Sequence, residues 1–226
     1  MEQYQNIDQE FVEKCLGRFP AEYINLSSEK QQISAKIYNL LSEGNPVSIN
    51  EIAKSLGMDT EHVKSVTDEW AGIYYNDDGN IIGYWGLAVE KMGHRFKLGE
   101  KTLYTWCAWD TLFIPQIIGK TVKVESRDPL TKETISLTVA HDGGISDIEP
   151  TDAVISFMIP NTEEVRTDVI KSFCHYVHFF ESRNSAEEWI SQSDKKDEIL
   201  ILSIEDAYTI ALRRNELQLG KILKAA

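Results

Sequence analysis

Between Ser28 and Trp70 the chain carries three helix signatures in succession, each with its own start or stop signal, and this punctuation constrains the fold more than any other feature. From Ser28 onward, Ile33, Ile37, Leu40 and Leu41 fall at helical spacing, and Gly44 follows as a natural stop. Ser48-Ile49-Asn50-Glu51 has capping-box form, Ile52, Ala53 and Leu56 continue it as an apolar stripe, and Gly57 closes it. A third helix is predicted to start near Asp59 or Thr60, with Val63, Val66 and Trp70 on one face. Ile73-Tyr74-Tyr75 and Ile81-Ile82-Gly83-Tyr84 then flank a turn-rich segment, residues 76–80, and read as a hairpin. Residues 28–85 therefore predict a winged-helix-like region. Ahead of it, residues 1–27 read as an arm or short helix in which Phe11, Val12, Cys15, Leu16 and Phe19 are apolar before Pro20 interrupts.

After Gly86 the pattern turns to short strands. Phe96 and Leu98 mark one, and residues 121–125, 134–139 and 153–159 mark three more, with turns at Asp128-Pro129 and Asp142-Gly143-Gly144. Strands this close in sequence pair antiparallel. Residues 185–190 begin a capped helix, 198–204 form a buried strand and 204–223 a closing helix. The fold class predicted is α+β: the winged-helix-like three-helix region with its hairpin, then a mostly antiparallel β core with flanking helices over residues 86–226.

Charge narrows the function. The 226 residues include 23 basic and 36 acidic ones, a net of -13, which repels polyanions. Residues 1–70 alone hold 12 acidic against 6 basic residues, and the third helix opens Asp59-Thr60-Glu61, so the winged-helix outline is not expected to read nucleic acid. No apolar run approaches the roughly 20 residues of a membrane span, and Met1 to Glu10 is polar and acidic, unlike a signal peptide. The expectation is a cytoplasmic protein without a membrane partner. Three cysteines, an odd number, suggest free thiols.

Two stretches carry chemistry. In Tyr104-Thr105-Trp106-Cys107-Ala108-Trp109-Asp110-Thr111-Leu112-Phe113, helical geometry would put Cys107 and Asp110 on one face, close enough to exchange a proton or hold one atom together. Desolvation by Trp106, Trp109 and Phe113 would raise the carboxyl's pKa towards neutrality. The alternative is a small buried cysteine beside a surface aspartate. In Ser172-Phe173-Cys174-His175-Tyr176-Val177-His178-Phe179-Phe180, Cys174 and His178 are four apart and converge on either period. Structural zinc needs four ligands in close pairs, and no second pair is present. His175 reads as a core histidine and Cys15 as incidental.

Residues 103–112, Ile118-Gly119-Lys120-Thr121, Ser172-Phe173-Cys174, Val177-His178-Phe179-Phe180 and the hairpin segment Asp78-Gly79-Asn80-Ile81-Ile82-Gly83-Tyr84 together resemble the alkylmercury (organomercurial) lyases, over about residues 28–217. The resemblance implies an enzyme without a cofactor that cleaves the carbon–mercury bond and releases a hydrocarbon and mercuric ion. It implies that Cys107 and Cys174 bind mercury and that Asp110 is the acid. Two departures stand out: Trp109 occupies a position where a smaller aliphatic residue is expected, and residues 1–25 have no firm counterpart.

Such a reaction suits these groups. Mercury(II) is soft and prefers thiolate sulfur to oxygen or nitrogen. A second thiolate raises its coordination and pushes electron density onto carbon, which then takes a proton from Asp110. Losing Asp110 is expected to slow turnover and spare mercury capture, whereas losing Cys107 removes both. Trp106, Trp109, Phe113, Phe173 and Phe180 are candidate walls of a dry pocket, with His178 beside them. Mercuric ion held by two sulfurs leaves slowly, so an external thiol, either a small one or the paired cysteines of a mercuric reductase, is the expected acceptor. The rival reading is a soft-metal sensor or delivery protein that binds through the same cysteines and breaks no bond.

Overall fold

A computed structural model describes residues 7–223 of the chain, so the first residues of the expected arm lie outside it. The arm folds into two short helices, α1 (Gln9–Leu16) and α2 (Ala21–Ile24), with Asp8 capping the first through the Glu10 amide and Pro20 at the start of the second. Val12, Cys15 and Leu16 face inward.

The three punctuated helices form where their caps place them. In α3 (Ser28–Leu41) the Ser27 hydroxyl accepts from the Lys30 amide, and α4 (Ile49–Leu56) uses Ser48 in the same way towards Glu51. Gly57 ends α4 at φ +65, the left-handed position expected of it, and Asp59 caps α5 (Thr60–Asp68). Gly44 behaves differently from expectation. Ser42 is the C-cap of α3, and Gly44 takes φ +88 two residues farther on, in the turn that leaves the helix. The hairpin is β1 (Ile73–Tyr75) and β2 (Ile81–Tyr84), and a bridge from Val47 to Ile81 ties it to the loop before α4.

The sheet does not stop at the hairpin. It continues through β3 (Leu87–Ala88), β4 (His94–Leu98) and β5 (Lys101–Thr105), and beyond α6 (Asp110–Ile118) through β6 (Val122–Arg127), β7 (Thr134–Val139) and β8 (Ile145–Glu149). The order is β1-β2-β3-β5-β4-β6-β7-β8, antiparallel throughout. A second antiparallel sheet is built around β9 (Val154–Met158). The chain leaves it through α7 (Thr162–Ser172), returns in β10 (Phe179–Phe180), and passes α8 (Arg183–Ser191) before β11 (Ile199–Ser203) and α9 (Ile204–Leu223). Its order is β10-β9-β11.

Helix α9 occupies the centre. It packs on α6 and α3 and buries Ile204, Ala207, Ile210, Ala211 and Leu219 at the 3.6-residue period. That face also buries Arg214, Asn215 and Gln218. Trp109, one of the largest buried side chains, stands beside it: the indole N–H donates to the Ala207 carbonyl at 3.0 Å, and the ring packs against Phe19, Phe113, Phe157 and Phe173 at 5.2–5.9 Å. The contacts of Trp109 are those of a core pillar joining the N-terminal segment to the second sheet. No helix among the described residues is long and apolar enough to cross a membrane.

Candidate active site

Cys107 is not on a helix. It lies in the turn between β5 and α6, and its partnership with Asp110 arises from a cap. The Asp110 carboxylate reaches back three residues and accepts the Cys107 backbone N–H at 2.8 Å, the reciprocal half of a capping box, while the Thr105 hydroxyl donates to the Cys107 carbonyl at 2.9 Å. Thiol and carboxyl are thereby held at the mouth of α6, whose exposed amides favour negative charge there.

Cys174 arrives from the other sheet. Asp168 breaks α7 with extended backbone and recaps its last turn by accepting the Lys171 amide, after which residues 174–176 form a 3-10 turn. Two contacts fix that turn. The Ala108 amide donates to the Val177 carbonyl at 3.1 Å, which joins it directly to the Cys107 loop, and the Ser156 hydroxyl of β9 donates to the Tyr176 carbonyl at 2.7 Å.

The outcome is one cluster. A ligand atom from each of Cys107, Asp110 and Cys174 lies within 4.8 Å of the other two, and all three residues are buried. The two sulfurs and the carboxyl are thus close enough to hold one ion together. Burial pushes both thiols up. Desolvation is the largest cause for each of them. Burial raises Asp110 to about 6, against the opposing pull of its bonds from Cys107 and the charge of Arg214. A carboxyl tuned there takes and gives a proton near neutrality.

The other residues singled out from the sequence divide. Phe173 precedes Cys174 and packs on Trp109 and Phe157, and Phe113 lies one turn along α6 from the carboxyl. Trp106 is buried, its ring edge-on to the exposed Tyr74 at 5.1 Å. His178 is not in the cluster. Its imidazole bonds the His175 carbonyl at 2.8 Å and packs on His94 and Trp189, and burial holds its pKa down at about 4. Cys15 is buried in the N-terminal helix, its thiol raised to about 12 by desolvation.

Sequence reading missed Gly86. It takes φ +102, and a Cβ there would stand 2.5 Å from the Asp110 carboxyl carbon and Oδ1, so the backbone of the Trp85–Gly86 turn is packed flush against the acid. Gly86→Ala is expected to strain that turn by about 1–3 kcal/mol and to cut turnover by about 10²-fold through displacement of Asp110, measured as denaturant midpoint and initial rate.

Comparison with known proteins bears on the same segment. The family model described as alkylmercury lyase matches residues 87–214, which span the whole cluster. An alkylmercury lyase of Staphylococcus epidermidis is 36% identical over 202 residues, 87% of this chain and 90% of that protein. The chain belongs to the alkylmercury lyase family. A relative of the same name in Pseudomonas putida is 36% identical over 174 residues, 76% of this chain and 80% of its own length. Among solved structures, the mercury-bound form of MerB2 superposes with a TM-score of 0.70 at 24% identity, covering 95% of this chain and 97% of that one, which speaks for the shared fold. The α+β expectation and the family resemblance are both borne out.

Proposed function

We propose that this protein cleaves the carbon–mercury bond of organomercurial compounds by protonolysis, with Cys107 and Cys174 as the mercury ligands and Asp110 as the proton carrier. The observation that carries the reading is the approach of two sulfurs, from loops 67 residues apart in sequence, to one buried carboxyl within 4.8 Å. Two soft donors suit mercury, and the carboxyl supplies what bond cleavage requires beyond binding.

The steps balance without a redox cofactor. The Cys174 thiol displaces the ligand carried in by the organomercurial and forms a sulfur–mercury bond, its proton leaving with that ligand. The Cys107 thiol gives its proton to the Asp110 carboxylate as its sulfur adds to mercury. Electron density moves onto the mercury-bound carbon, the carbon–mercury bond breaks, and its electron pair takes the proton from Asp110. The hydrocarbon departs, mercuric ion stays between the two sulfurs, and the carboxylate is regenerated. Apolar walls keep water away from the carbon meanwhile. Release of mercuric ion then proceeds by thiol exchange, to small thiols or to the paired cysteines of a mercuric reductase. The division into an N-terminal arm, a winged-helix-like region and a core from residue 86 belongs to the same reading, as does a cytoplasmic location.

The direct test incubates purified protein with an arylmercury salt and excess thiol and measures free arene. Arene at the uncatalysed level, with mercury bound stoichiometrically, would leave a binding protein and overturn the lyase reading. The pH dependence follows from the same step. Only ionised Asp110 accepts the thiol proton, so the single-turnover rate is expected to fall about tenfold per unit below about pH 6 and to level off above it. Rates measured on the preloaded complex check this, and a flat profile through that region would exclude Asp110 as the acceptor.

A further inference from the structure

Arg214 is wholly buried in the middle of α9, and the hydrogen bonds it makes go to neutral groups. Its Nε and Nη2 both donate to the Tyr23 hydroxyl of α2, Nη2 also donates to the Tyr38 hydroxyl of α3 at 3.3 Å, and Nη1 donates to the Asn215 side-chain oxygen at 2.8 Å. The guanidinium lies 3.9 Å over the Phe113 ring of α6. A buried charge is costly without a paired one, so a guanidinium held by phenols and an amide calls for a role beyond stability.

Two chains of hydrogen bonds lead from it to the two sides of Asp110. On one side the Tyr38 hydroxyl, receiving from Arg214, donates to the Trp85 carbonyl at 2.8 Å. Trp85 holds φ +31, and the next residue is the glycine whose backbone lies against the carboxyl. The Gly86 carbonyl in turn accepts the Trp106 amide at 2.9 Å, next to Cys107. On the other side Asn215, its oxygen engaged by Arg214, donates from Nδ2 to the Phe113 carbonyl and to the Gln116 side chain, both at 2.8 Å. Those contacts hold α6 one turn beyond Asp110, where Pro115 has no amide to contribute to the helix ladder.

We infer that Arg214, Tyr38 and Asn215 form a buried positioning frame that fixes Asp110 against the two sulfurs, by holding the Trp85–Gly86 turn on one side of the carboxyl and α6 on the other. The frame touches neither sulfur nor the reacting carbon, so these are positioning residues, and beyond the pull of the Arg214 charge on Asp110 their effect is on the proton-transfer geometry. The inference rests on the lyase reading for its kinetic consequence and on coordinates alone for its structural one.

Tyr38→Phe removes one hydroxyl and keeps the ring, which packs edge-on to Tyr84 at 4.9 Å. It is expected to slow single-turnover arene release about ten- to a hundredfold, while one organomercurial per chain is still captured with wild-type affinity. Arg214→Lys, which keeps the charge and loses the fork, is expected to show the same division between capture and cleavage. A Tyr38→Phe protein that cleaves at the wild-type rate overturns the frame, as does one whose capture falls in step with its rate. Wild-type protein that releases no arene would defeat the lyase reading instead. In that case a crystal structure of Tyr38→Phe still decides: displacement of Trp85–Gly86 and the Asp110 carboxyl supports the frame, and their staying in place overturns it.

Discussion

Cys107→Ser is expected to bring arene release from an arylmercury salt down to the uncatalysed background. Serine matches the thiol in shape, and Cys107 is fully buried with its backbone N–H held by Asp110, so the turn keeps its local bonds. What disappears is the second soft donor. A hydroxyl at this position is a hard ligand and a far weaker acid, so it neither adds to mercury nor hands a proton to a carboxylate tuned to about 6. The carbon then never acquires the electron density that lets it be protonated. Mercuric ion is no longer gripped by two sulfurs, so its retention through gel filtration in the presence of excess thiol is expected to be lost as well. Arene yield by chromatography and mercury per chain check both. Turnover within tenfold of wild type would mean that the two sulfurs are not a mercury site.

Which parts of this arrangement were legible in the sequence depends on the range of the signal. Helices α3 to α5 and the hairpin carry their instructions locally: Ser48 with Glu51, Gly57 and Asp59 each act within one turn, and each does in the structure what its chemistry dictates. Helix α9 was legible because 20 residues are enough for periodicity to show. Helix α7 was not, because it buries only Val165 and Val169 and is broken at Asp168, leaving little apolar stripe; the caps at Asn161 and Asp168 were the available signals. Strands β3 and β10 are two residues long and exist only through their neighbours. At the site, the pairing of Cys107 with Asp110 was readable as a spacing of three, but the reason is a cap at a helix mouth and not a shared helical face. That Cys174 joins them depends on a bond from Ala108 to Val177, which no local pattern reports. Arg214 left a signal that was passed over: it lies three residues after Ala211 and four before Gln218, on the inward face of α9, while the adjacent Arg213 pairs with Glu13 and Glu216 at the surface.

The same local geometry makes Asp110→Asn the sharpest test of the chemistry. The amide oxygen of asparagine can still accept the Cys107 backbone N–H, so the cap and the path of the chain between β5 and α6 are preserved. Both sulfurs remain, and capture needs only them. The amide, however, cannot take the Cys107 proton and give it to carbon, and the positioned acid–base step it removes is typically worth about 10²–10⁴-fold in rate. Single-turnover arene release is therefore expected to slow by that factor, with the organomercurial still bound one per chain. The loss of rate below about pH 6 should vanish with the carboxyl that causes it, since burial is what brings Asp110 into that range and asparagine has nothing to titrate there. Quenched-flow measurement of arene beside a mercury titration of the same sample separates the two effects. If rate and capture fell together, Asp110 would be acting as a mercury ligand, and the proton would have to come from elsewhere in the site.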